Sequence, residues 1–382
     1  MSKRLPRPFR VPVLELTVQI GHSVIFVGVA LRGHPSLPNA QARVATEGHP
    51  YNNLWSSRMK YGLVILSLAM LTLSTQQDEI KLDAAQEKIT SVSAMRVRRA
   101  PQVTAEEVTR LKLGTVVNAV ARSANQDTVA GKTDYWYRVN LPNGATGWLF
   151  GGLLPDYNAT RRNELTRQII EARLKAENTD FADRQEIYNL AASSVREAKD
   201  VNTRAEFELL KLLALANQAA TFPNNLAGKS PYREWLKAHA AEVIQNEFAG
   251  GYSLRSEALW NLETKYHSLP IADRIAWEAV ENPEPSDCEG DEVCHLFGYE
   301  GAIKYLNLHP NGAHAAEALK NLTDLLTDQV IETANAQGSG DQYVLQERTD
   351  LRKMLVSLRT AVAKTSAPEK TELLKKLQKF RD

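Results

Sequence analysis

Two cysteines, Cys288 and Cys294, stand close together in Asp287-Cys-Glu-Gly-Asp-Glu-Val-Cys-His295. Two thiols at this spacing either close a short disulfide or, with His295, hold a metal ion. Structural zinc asks for four ligands, and the segment lacks a second Cys/His pair. A disulfide between Cys288 and Cys294 is therefore the expectation, a loop staple that restrains the unfolded chain less than a long-range link. The Cys-x-x-Cys-His spacing of haem attachment is not met. Thiolate catalysis is disfavoured by the acidic surroundings. His309 and His314 lie in a helical pattern, without the strand on which a cysteine peptidase carries its histidine. The many carboxylates single out no glycosidase pair, and no Gly-rich phosphate loop or His-Glu-x-x-His zinc helix occurs. The chain is expected not to be an enzyme and to use neither cofactor nor metal.

Contact chemistry rather than reactivity is concentrated in Tyr135-Trp-Tyr-Arg-Val139 and Gly144-Ala-Thr-Gly-Trp-Leu149. Tyr135, Trp136, Arg138 and Trp148 combine rigid apolar faces with polar handles, which suits a groove for sugar–peptide ligands. The same tryptophans can instead plug the core of a small barrel. Both roles stay open for Trp136, whereas Trp148 is expected to cover one end of the core.

Strands must present these residues, and the surrounding sequence supplies strand signals. Met95 and Val97 alternate with Arg96 and Arg98, so one face turns inward and the arginines face water. Ala100-Pro101 ends that strand. Leu111 and Leu113 precede Gly114, and Val116-Val117 follow it, giving strand, tight turn, strand. Tyr135, Tyr137 and Val139 share one face of the next strand; Trp136 and Arg138 share the other. Pro142-Asn143-Gly144 predicts a hairpin turn before the closing strand at Gly147-Trp148-Leu149.

These pieces resemble the bacterial Src-homology-3 domain. The resemblance rests on Arg96 and Arg98; on Leu111, Gly114 and Val117; on Trp136 and Val139; and on Gly144, Gly147 and Trp148. Met95 replaces the usual Asn of the first motif, and the polar stretch Arg122 to Asp134 exceeds the common connection. The resemblance implies a small all-β barrel that recognises cell-wall peptide or another envelope polymer. It also implies a bacterial periplasmic or extracellular location.

The amino-terminal region agrees with export. Met59-Lys60, a short apolar run from Tyr61 to Leu73 and small residues at Thr72 and Ser74 describe a secretory signal peptide. The run is shorter than the roughly 20 residues that span a bilayer. It would be cleaved, the alternative being retention as an anchor. Residues 1–58 show no helical or strand period and are read as a non-native or disordered extension. Of 46 Lys/Arg and 45 Asp/Glu, eight and two precede residue 75, which leaves 38 against 43. This acidic, unpatterned balance argues against nucleic-acid binding.

From Ala159 onward the period is helical, with Ile187, Leu190, Ala191 and Val195 on one face and Leu209, Leu212, Leu213 and Ala216 on another. Thr203-Arg-Ala-Glu206 and Ser366-Ala-Pro-Glu369 read as capping boxes. Leu259 to Tyr266 leading to Pro270, and Gly301 to Leu308 leading to Pro310, form a faint repeat similar to tetratricopeptide-like repeats. Its offset of 40 residues exceeds the usual period of about 34. Both a helical repeat and a compact bundle fit.

The expected organisation is multidomain. An extension (1–58), a signal peptide (59–74) and a linker (75–88) precede a Src-homology-3-like barrel (89–157), and an all-α domain (158–382) follows. The expected function is that of a non-catalytic exported envelope protein. Its barrel binds wall peptide or polymer, its helices are a scaffold for a protein partner, and it meets a membrane only during export. The alternative is a cell-wall hydrolase with an unrecognised active site among the helices.

Overall fold

The computed structural model describes residues 79–141, 144–177, 179–246, 250–338 and 341–381. The expected extension, the signal peptide and residues Pro142 and Asn143 of the expected turn lie outside them. Six strands, β1 (Glu79–Ile89), β2 (Met95–Arg98), β3 (Glu107–Leu111), β4 (Val116–Val129), β5 (Lys132–Asn140) and β6 (Thr146–Phe150), form one antiparallel sheet. Their order is β1-β4-β5-β6-β2-β3. The sheet curls because the end of β1 reaches the segment after β6: the Ile89 and Ser91 amides donate to the Pro155 and Leu153 carbonyls. Met95, Val97, Val117, Ala119, Val139, Leu149 and Leu154 fill the interior.

The expected linker is corrected from Glu79 on, since that stretch is strand β1. Its pairing with β4 skips between Lys81 and Gln86. The irregularity interrupts the period-2 pattern by which a strand is read, and the charged residues then resemble a linker.

Twelve α-helices follow among the described residues. They are α1 (Arg162–Leu174), α2 (Phe181–Glu197), α3 (Val201–Ala220), α4 (Tyr232–Ala238), α5 (Ser256–Tyr266) and α6 (Ala272–Glu281). Then come α7 (Glu292–Gly298), α8 (Glu300–Leu308), α9 (Ala315–Leu325), α10 (Asp328–Asn335), α11 (Gln342–Lys364) and α12 (Lys370–Leu377). A short hairpin, β7 (Val243–Gln245) and β8 (Tyr252–Leu254), sits between α4 and α5. Eight of the helices pack in sequential pairs, α2 with α3, α5 with α6, α8 with α9 and α11 with α12. Each pair meets the next through α3 on α5, α6 on α8, α8 on α11 and α9 on α12. This is the arrangement of stacked helix hairpins. The short helices α4, α7 and α10 lie between the pairs, which stretches the spacing beyond about 34 residues.

Two helix starts differ from expectation. Asp200, not Thr203, caps α3, its carboxylate accepting from the Thr203 amide at 2.9 Å. A carboxylate at the chain reversal takes the capping position ahead of the hydroxyl three residues later. Ser366 does not cap α12, because its amide donates to Asn311 Oδ1 at 2.9 Å and the helix begins only at Lys370.

Barrel and helices share a core. Ile89 and Leu113 from the barrel cluster with Ile170, Ile187, Phe207 and Leu210 from the helices. Glu186 of α2 accepts from the Leu113 amide at 2.8 Å. Gly114, with φ of +78°, lies so close to α2 that a Cβ would meet Leu190 Cδ1 at 2.6 Å. The glycine permits both the turn and this approach.

After α4, the His239 ring packs edge-on against Tyr188 at 5.2 Å and tilted against Trp235 at 4.9 Å. Burial holds its imidazole pKa below the ordinary value, reinforced by Lys211 and opposed by Glu242. Unfolding then takes up a proton in acid, so this contribution is fully present above about pH 6.5 and is lost as pH falls below it. The melting temperature of the parent should therefore drop more between about pH 7.5 and about pH 5.5 than that of His239→Gln, as thermal melts would record.

Candidate functional site

The outer face of the barrel carries a second aromatic cluster, made by strand alternation. On β6, Gly147 and Leu149 turn inward, which leaves Trp148 and Phe150 outside. On β5, Val139 turns inward and Trp136 outward. Trp136, Trp148 and Phe150 pack together, each under a tenth exposed. The rings of Trp136 and Phe150 meet edge to face, with centroids 5.6 Å apart, a favoured aromatic geometry.

A long hairpin holds Trp136 in place. The polar stretch from Arg122 to Asp134 is an extension of β4 and β5 closed by Ala130 and Gly131, both at positive φ. Such two-residue turns match the twist of the strands. The pairing shifts between Arg122 and Gln126, and there Ser123 Oγ accepts from the Trp136 amide at 3.1 Å. Asp127 Oδ2 accepts from the indole Nε1, also at 3.1 Å. The lengthened connection is thus what fixes the orientation of the tryptophan.

Trp136 and Phe150 line a cavity of about 250 Å³. Val92, Val103, Val129 and Leu153 supply further apolar wall, and Arg96 and Arg98 lie along it. Val103 is 45% exposed. Arg98 is tied by its Nη1 to the Ala105 carbonyl at 2.7 Å. No histidine, cysteine or carboxylate lines the cavity. Its chemistry is apolar contact beside positive charge, not proton transfer or metal ligation.

Of the four groove candidates, Trp136 alone lines this cavity. Tyr135 faces the other way, with the Arg122 guanidinium 4.0 Å over its ring. Arg138 pairs with Glu79 of β1 at 2.8 Å. Trp148, expected to cover an end of the inner core, packs instead in the outer cluster between Arg98 and Arg138, its cross-strand neighbours. Leu149 takes the inward place by alternation. Phe150 escaped the sequence reading, although its position two residues after Trp148 puts it on the same face.

Cys288 and Cys294 are joined by a disulfide, with Cα atoms 5.4 Å apart. Asp291 between them caps α7, accepting from the Val293 and Cys294 amides. The described residues that gather metal-ligating atoms are Glu263, His267 and His309, in the helical region.

A curled six-stranded antiparallel sheet with an aromatic outer face defines a small SH3-like barrel. Residues 93–155 match the family model described as Bacterial SH3 domain. Strand β1 precedes the match, so this barrel carries a strand in addition to it. No curated protein and no solved structure matches the chain. Among the described residues, no helix is long and apolar enough to cross a membrane.

Proposed function

We propose that the barrel binds cell-wall peptide or a related envelope polymer in the cavity lined by Trp136 and Phe150, in an exported protein without catalytic activity. The observation that carries this reading is an apolar cavity flanked by two arginines, within the segment that matches bacterial SH3 domains. Domains of this class commonly bind peptidoglycan and are typical of extracellular or envelope proteins. Apolar stem atoms of a wall peptide suit Trp136 and Val103, and its carboxylates suit Arg96 and Arg98. The Cys288–Cys294 disulfide agrees with an oxidising compartment reached through the signal at Met59. The stacked helix pairs serve as a scaffold for a protein partner. A groove between the disulfide loop and α11 is lined by Asp287, Glu289, Asp291, Glu347 and Asp350, so a basic partner surface suits it.

Sedimentation of the full chain with purified peptidoglycan tests the reading. The variant Val103→Glu places a carboxylate at the exposed rim without opening a core cavity. It should lose about tenfold or more in binding, because the new carboxylate competes with the ligand's carboxylates for Arg96 and Arg98 and replaces apolar contact, at unchanged melting temperature. Absence of binding by the parent, or equal binding by Val103→Glu, would rule the cavity out. Soluble wall fragments released by the parent would favour a hydrolase instead.

A further inference from the structure

Helix α5 sets Glu263 and His267 four residues apart, on one helical face. His309, which ends α8, reaches the same point from the next helix pair. His267 Nδ1 lies 2.6 Å and His309 Nε2 3.1 Å from a single oxygen, Glu263 Oε1. All three ligand atoms fall within 4.8 Å of one another. The Glu263 side chain is 3% exposed, that of His309 13% and that of His267 56%. Burial of a carboxylate is costly unless positive charge meets it. The groups bonded to it here are the imidazoles of His267 and His309.

We propose that Glu263, His267 and His309 form a binding site for a divalent transition-metal ion, zinc in the first instance. Two imidazoles and one carboxylate suit zinc, whereas calcium and magnesium favour all-oxygen sets. Bond lengths of about 2.0–2.2 Å hold ligand atoms roughly 3.4 Å apart around a tetrahedral ion. Each side chain then moves by about 1 Å or less. The ion takes the place of any proton between the imidazole nitrogens and Glu263, and those protons pass to solvent. Exposed His267 leaves water free to complete the coordination. The bound ion fastens the end of α5 to the end of α8, and so one helix pair to the next. This role is independent of wall binding by the barrel.

Calorimetric titration of the full-length protein, stripped of metal with a chelator, with zinc chloride tests the proposal. One ion per chain should bind saturably. His267→Ala, at a side chain more than half exposed, should weaken binding by more than about a hundredfold, beyond the range typical for losing an outer-shell partner. Glu263→Gln, which keeps the side-chain size, should weaken it likewise, and zinc should raise the melting temperature of the parent but not of His267→Ala. Failure of the parent to take up one zinc saturably would overturn the site. So would equal affinity in His267→Ala, which would put the ion on other histidines.

Discussion

Phe207→Ala should lower the free energy of unfolding by about 3–5 kcal/mol, the range for removing a fully buried phenylalanine. Phe207 is 1% exposed and lies on α3, a helix buried on two sides. Phe207, Leu210 and Ala214 face the core shared with Ile89 and Leu113 of the barrel. Leu209, Leu212 and Leu215 face the core of the stacked helices. A helix that is wall to two cores couples them, and the described residues from Glu79 on form one compact unit. The parent should therefore unfold in one calorimetric transition, and Phe207→Ala should shift that transition as a whole. Two transitions in the parent, or a barrel that melts unaltered in the variant, would disprove the coupling.

The second large effect is expected at Trp136. Alanine there removes an indole that is 3% exposed, and with it the partner of Phe150 and the floor of the cavity. The cost should again be about 3–5 kcal/mol. Trp136→Phe is the milder change. It keeps a ring beside Phe150 but gives up the bond to Asp127 and part of the buried indole volume, a loss of about 1–3 kcal/mol. Denaturant unfolding should thus show the smaller stability loss in Trp136→Phe. Similar losses in both would mean that the ring retained by phenylalanine contributes nothing to stability at this position.

Much of the barrel was legible because its signals are local. Met95 and Val97 turn inward and Arg96 outward, as alternation requires. Gly114 takes the positive φ of a turn between β3 and β4. The cavity was less legible. Trp136 was visible as a candidate, yet Val103 and Val129 reach it from separate loops and strands, and no sequence period joins them. Arg138 looked like a ligand contact because its partner, Glu79, lies on a strand that a bulge disguised.

The sequence by itself determined where strands alternate, where glycine must turn the chain, and that two neighbouring cysteines could pair, since each depends on residues a few positions apart. Only the tertiary structure decided that Trp148 joins an outer cluster, that α3 separates two cores, and that His309 meets Glu263 across 46 residues. Those outcomes depend on which faces the packed elements bury against one another, and burial is a property of the assembled fold rather than of any local pattern.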